Sequence, residues 1–159
     1  FTVHNRATGW LDAGFHRSFR EIFLHACWRH PMACLGYCLM PDHAHLLLLG
    51  TEPRSDQRLF VRFLRRHTNS LLKAGGFRWQ KQAHDHVLHD KERERDALAS
   101  VAHYIRENPV RAGLVCSQEE WPYSGSILPG YPSLDPGDER FEKVFWNVVY
   151  EAYEKGKGW

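Results

Sequence analysis

At 159 residues, 43% of them hydrophobic and 25% charged, the chain suits a single domain with a real core and has the make-up of a soluble globular protein. No unbroken apolar run exceeds the length of Leu46 to Leu49, which excludes a membrane-spanning helix, and no secretory segment is evident. The formal charge of +2 is unevenly spread: residues 54–89 carry eight basic residues against Asp56 and Asp85, and residues 112–159 carry a net −4. A polyanion partner for the basic middle follows, with a cytoplasmic location and no membrane partner. The sequence begins with Phe1 rather than Met, so the natural start is left open upstream.

In chain order, Phe1 to Asn5 reads as a short strand. Ser18 opens a helix to about His30, with Phe19, Ile22, Phe23, Ala26 and Cys27 on its apolar side, and Pro31 stops it. Ala33 to Met40 and His43 to Leu49 read as two strands joined by a tight turn at Pro41-Asp42. Asp56 to Lys73 is an amphipathic helix with Leu59, Phe60, Phe63, Leu64, Leu71 and Leu72 as its buried stripe, ended by Gly75-Gly76. Phe77 to Leu88 is expected to be extended, and Lys91 to Glu107 a second helix broken at Asn108-Pro109. The following stretch to Gly137 looks poorly regular, and Glu139 to Tyr153 reads as a last helix. One α+β domain over residues 1–159 results, with 113–159 a less regular extension ending in a helix. The four cysteines show no C-x-x-C spacing and are read as reduced thiols rather than a zinc site.

Two short segments could carry chemistry. His43 and His45 stand two apart on a strand, so both imidazoles project from one face and could share a divalent ion. With eleven histidines in the chain, such a pair says little by itself, and most would be solvated or satisfied in the core. Tyr104 and Asn108 are one helical turn apart and share a face; taken alone they read as a core tyrosine and a helix-ending asparagine. Together the two segments say more. A tyrosine hydroxyl is a weak nucleophile at neutral pH, and a nearby cation would polarise a phosphodiester for it. Two imidazoles and a carboxamide oxygen leave open positions on an octahedral ion, which suits Mg²⁺ or Mn²⁺.

The stretch from Gly36 to Leu48, containing Tyr37-Cys38-Leu39-Met40-Pro41-Asp42-His43-Ala44-His45, resembles the HUH segment of the single-tyrosine (Y1) transposases, especially the REP-associated tyrosine transposases. His84-Asp85-His86, the run from Tyr104 to Val115, and Trp121-Pro122-Tyr123-Ser124 are similar to later segments of that family, in order. Ala83 departs from the pattern, where an aromatic residue is more usual. The resemblance implies a ferredoxin-like antiparallel sheet with helices on one face, the HUH-type endonuclease fold. It implies Tyr104 as the nucleophile and His43, His45 and, by spacing, Asn108 as metal ligands. It further implies cleavage and strand transfer of single-stranded DNA beside repeat hairpins through a 5′-phosphotyrosine, without a nucleotide cofactor.

Arg58, Arg62, Arg65 and Arg66 are either a solvated helix face or a phosphate-binding ridge, and the resemblance favours the ridge. His84 and His86 could line a DNA channel, sit near the metal or be structurally satisfied, and Tyr37 and Tyr123 are read as packing or hydrogen-bonding residues rather than second nucleophiles. Trp79, Trp121 and Phe77 are candidate base-stacking residues with core burial as the alternative. The acidic tail could fold over the basic surface. Two other functions stay open: a hydrolytic metal nuclease, and a non-catalytic module that binds hairpin DNA. The long segment after Gly113 favours a monomer over a dimer.

Overall fold

The computed structural model describes residues 1–81, 95–128, 130–131, 134 and 139–156. The first helix, α1, runs Ala13–Arg29, beginning before Ser18 because the Asp12 carboxylate accepts the Phe15 N–H at 2.7 Å and so caps it. Its spacing buries Phe19, Phe23, Ala26 and Cys27 along one side. Strands β1 (Met32–Leu39) and β2 (Ala44–Gly50) form the expected hairpin, and α2 (Gln57–Ala74) is capped by Asp56, whose carboxylate accepts from Leu59 N–H at 2.9 Å. Phe60, Leu64 and Leu72 are buried as expected, whereas Leu59 is 37% exposed and Leu71 only half-buried.

Every residue of β1 is buried, so this strand has no solvent face. Phe19, Phe23, Phe60 and Leu64 of α1 and α2 pack with Cys34, Tyr37 and Leu39 on one side. Ala33, Leu35, Cys38 and Met40 face a second cluster built with Leu98 and Ile105 of α3 (Arg95–Arg111) and Phe145 and Val149 of α4 (Phe141–Gly156). A bulge between Cys34 and Gly36 lets Leu35 and Cys38 share a face despite their odd and even positions. The α+β antiparallel architecture agrees with the HUH-type fold, but helices cover both sides of the sheet instead of one. The cause is the unbroken apolar run of β1, which must be buried twice. The described part of the acidic tail, α4, therefore packs on the sheet face opposite α2 and away from its arginines.

A third strand, β3 (Ser124–Ile127), pairs antiparallel with β1 and gives the order β2-β1-β3. It falls where the sequence looked irregular, because Ser-Gly-Ser-Ile offers little strand pattern. Tyr37 explains the glycine. It lies opposite Gly125, and its hydroxyl, held by Arg20 Nη1 at 2.6 Å and His16 Nε2 at 2.9 Å, fills the space a side chain there would need. At the other edge, Thr2 pairs with His43 and Val3 with Trp79, extending the sheet through two short segments. Among the described residues no helix is long and apolar enough to cross a membrane.

A Cβ at Gly125 would stand 2.9 Å from the Tyr37 hydroxyl, which is locked in the core. Gly125→Ala is expected to destabilise by about 1–3 kcal/mol, read as a fall of several degrees in Tm; an unchanged Tm would contradict this packing. Burial and the Arg20 charge push His16 down to about 4 from 6.5. The unfolded chain thus takes up a proton that the folded one refuses, so stability is lost as pH falls from about 6.5 towards 4. His16→Gln should flatten that part of the Tm–pH curve.

Candidate active site

His45 pairs with Cys38 and shares its side of the sheet, the side covered by α3; His43, two residues earlier, lies on the same side. Main-chain bonds fix this start of β2 from both flanks: Met40 N–H donates to His43 O at 2.7 Å, Val3 N–H to Asp42 O at 2.9 Å, and Ala44 N–H to Phe1 O at 2.7 Å. The two Nε2 atoms stand 2.9 Å apart. Two bare lone pairs would repel at that distance, so a proton or a cation between them is what makes the contact favourable. Ligands at adjacent corners of an octahedron, each about 2.1 Å from the ion, stand about 3 Å apart. The pair therefore fits a shared divalent ion. Burial, then the adjacent His43, pushes His45 down to about 4, leaving it neutral and ligand-competent at pH 7.

Asp42 orients the pair. Its Oδ1 lies 2.6 Å from His43 Nδ1, and its Oδ2 accepts from Arg6 Nη1 at 2.6 Å. Burial works against the Asp42 charge, but the bonds from His43 and Arg6 outweigh it and hold the carboxyl below its usual range. An acceptor on Nδ1 directs the Nε2 lone pair of a neutral His43 outward. Arg6 reaches Asp42 from a backbone with φ +50°, next to Asn5 at +58°, a left-handed pair that side chains other than glycine seldom adopt. The Arg6–Asp42 contact spans 36 positions and has no local signature in the sequence, where Asp42 reads only as a turn residue.

On α3, Leu98 and Ile105 are buried against the sheet, while Tyr104 is 48% exposed with its ring 4.8 Å from the Arg111 guanidinium. Its hydroxyl is thus not sealed in a dry interior. The helix does not break at Asn108-Pro109 but runs on to Arg111. Pro109 has no N–H for the Ile105 carbonyl, and Asn108 Nδ2 substitutes, donating to Ile105 O and Tyr104 O, both at 3.1 Å. Asn108 Oδ1 takes no part in these two bonds. Among the described residues, no group of three or more His, Cys, Asp or Glu could hold a metal ion.

Of the four arginines, Arg58, Arg62 and Arg66 recur every fourth residue and are exposed, forming a ridge on α2. Arg65 is turned elsewhere: it donates to Lys81 O at 3.0 Å and lies 5.7 Å from the Phe1 ring. Trp79 is a core residue, its Nε1 donating to Thr68 Oγ1 at 2.8 Å; Trp121 is half-buried and donates to Leu39 O at 2.9 Å; Phe77 is half-buried. Tyr37 is buried and Tyr123 half-buried, in keeping with packing roles. His84 and His86 lie outside the described residues. Trp28, 91% exposed, was not foreseen, although its place beside His25 and Arg29, off the Phe19–Phe23–Ala26 stripe, was readable from the helical period.

Asp42 is expected to hold the hydrogen of a neutral His43 ring on Nδ1. A ¹⁵N-resolved imidazole spectrum near neutral pH should show that tautomer, and Asp42→Ala should mix the two; an Nε2–H tautomer in the unaltered protein would contradict the arrangement.

No family model and no solved structure matches the chain. It is 29% identical over 120 residues to a Haemophilus influenzae protein named "Putative REP-associated tyrosine transposase". The alignment covers 67% of this chain and 65% of that relative, so the chain spans just under two thirds of the relative's length. The similarity supports the resemblance to the REP-associated tyrosine transposases.

Proposed function

We propose that this protein cleaves and rejoins single-stranded DNA beside hairpins, as a transposase of the REP-associated tyrosine type, with Tyr104 as nucleophile. The observation that carries the reading is the 2.9 Å separation of two Nε2 atoms, oriented by Asp42, on the sheet side covered by the helix that bears an exposed tyrosine. Mg²⁺ or Mn²⁺ held by His43, His45 and Asn108 would, when bound, polarise the phosphodiester and stabilise charge on its oxygens. His45, kept neutral by burial, offers its lone pair without first losing a proton.

Tyr104 Oη attacks phosphorus and gives up its proton to solvent or a nearby base. The new O–P bond keeps the 5′ phosphate on the enzyme, the P–O3′ bond breaks, and the departing oxygen takes a proton to become a free 3′-OH. One phosphate ester replaces another, so no nucleotide need be hydrolysed and an incoming 3′-OH can reverse the step. Arg111, stacked on the Tyr104 ring, restrains that ring and sets a positive charge beside the bound phosphate. Arg58, Arg62 and Arg66 contact phosphates further along the strand, with affinity that falls as salt rises.

With a labelled single-stranded DNA hairpin and Mn²⁺, a covalent protein–DNA adduct is expected on a denaturing gel. It should vanish in Tyr104→Phe and drop sharply in His43→Ala and His45→Ala. An ordinary adduct yield from Tyr104→Phe would overturn the assignment of the nucleophile. Cleavage that leaves no protein-linked strand and persists in that variant would identify a hydrolytic nuclease instead.

A further inference from the structure

The last turn of α1 places Trp28 and Arg29, which the proposed chemistry does not use, beside a cleft that Phe63 of the arginine-bearing helix α2 also lines. Trp28 borders an open cleft of about 1130 Å³ between α1, the 51–54 loop and α2. Phe63 of α2 lines the same cleft, half-buried, with the Arg29 guanidinium 5.9 Å from its ring and His30 against its edge. His67 packs on Phe63 from the next turn at 4.3 Å, and Arg62 and Arg66 flank it in sequence. Arg54 on the loop is paired with Glu52 at 2.7 Å, and Asp56 is engaged in capping α2. The surface remains cationic: Arg29, Arg62 and Arg66 form none of the ion pairs found among the described residues.

This surface is remote from the histidine pair. Trp28 lies near the Met32 end of β1 and His43 beside its Leu39 end, so the two are separated by the length of the strand, about 20 Å at 3.3 Å per residue. They also belong to opposite sides of the sheet, since α1 packs with Tyr37 and Leu39 while His45 faces with Cys38.

We propose that this cleft is a second nucleic-acid site, in which Trp28 stacks on an unpaired base while Arg29, Arg62 and Arg66 hold the flanking phosphates. An accessible indole beside guanidinium groups is the combination that takes a base and its charged backbone together, with little regard to sequence. The inference rests on the proposed DNA function and adds where the part of the strand remote from cleavage is held. Its occupant is single-stranded DNA; a second copy of this chain, the other way to cover an exposed tryptophan, is separated by the test.

The experiment measures binding of a fluorescein-labelled DNA hairpin with a single-stranded tail by anisotropy at low salt, and adduct formation at saturating DNA with Mn²⁺. Trp28→Ala should bind about ten-fold more weakly, Trp28→Phe should recover most of the loss, and the adduct yield at saturation should match wild type. With a DNA too short to reach about 20 Å from the cleavage point, the Trp28→Ala penalty should disappear. Trp28 is exposed, so Tm should not change. Wild-type affinity in Trp28→Ala overturns the second site while leaving Tyr104 chemistry standing. A change only in self-association by light scattering overturns it in favour of a protein interface. Binding that depends on Trp28 with no adduct from wild type supports the site and sinks the proposed reaction, and no DNA binding by wild type sinks both.

Discussion

The register between β1 and β2 is the constraint on which the rest depends. Cys38 must lie opposite His45 and Leu39 opposite Ala44, because Ala44 and Leu39 belong to the core beneath α1 and α2 while Cys38 faces α3. A slip of one residue would carry both imidazoles to the wrong side and drive Ala44 and Leu46 out of their cluster. Burial of all eight β1 residues makes such a slip costly at every position. The catalytic geometry proposed for the histidines is thus a by-product of hydrophobic packing, sharpened locally by the bonds from Phe1 and Val3.

What the sequence displayed and what it concealed divide along the range of the interactions. The hairpin, the Asp56-capped helix and the final amphipathic helix were legible because period, cap and turn residues lie within a few positions of one another. The β3 strand was not, since Gly125 makes sense only against the Tyr37 hydroxyl from another strand. The end of α3 misled for a related reason: a proline rule applies unless a neighbouring side chain supplies the missing donor, as Asn108 does. The histidines were visible as a pattern, but the Arg6–Asp42 support beneath His43 was not. The arginine run was visible too, yet only the fold separates Arg65, bound to Lys81 O, from Arg58, Arg62 and Arg66, which are exposed.

Among the described residues, the sheet also separates the arginine ridge of α2 from α4. The exposed arginines of α2 lie on the α1 side, and the described part of the acidic tail packs on the other, with α3 and the histidine pair. Those arginines are, in the proposed reading, a first point of contact for the DNA backbone. In the proposed reading, affinity and chemistry are then supplied by separate surfaces joined by a rigid strand, so binding energy gained at one can position the scissile bond at the other.

The Asn108 carboxamide has a consequence for the mechanics of α3. Its nitrogen end closes the gap that Pro109 leaves in the helix, and its oxygen end takes no part in those bonds. In the proposed reading, in which Asn108 is a metal ligand, a cation drawing electrons from that oxygen would make the amide hydrogens more acidic and their grip on the Ile105 and Tyr104 carbonyls firmer. Ligation and stiffening of the helix would then rise and fall together through one planar group, and the tyrosine one turn upstream would feel both.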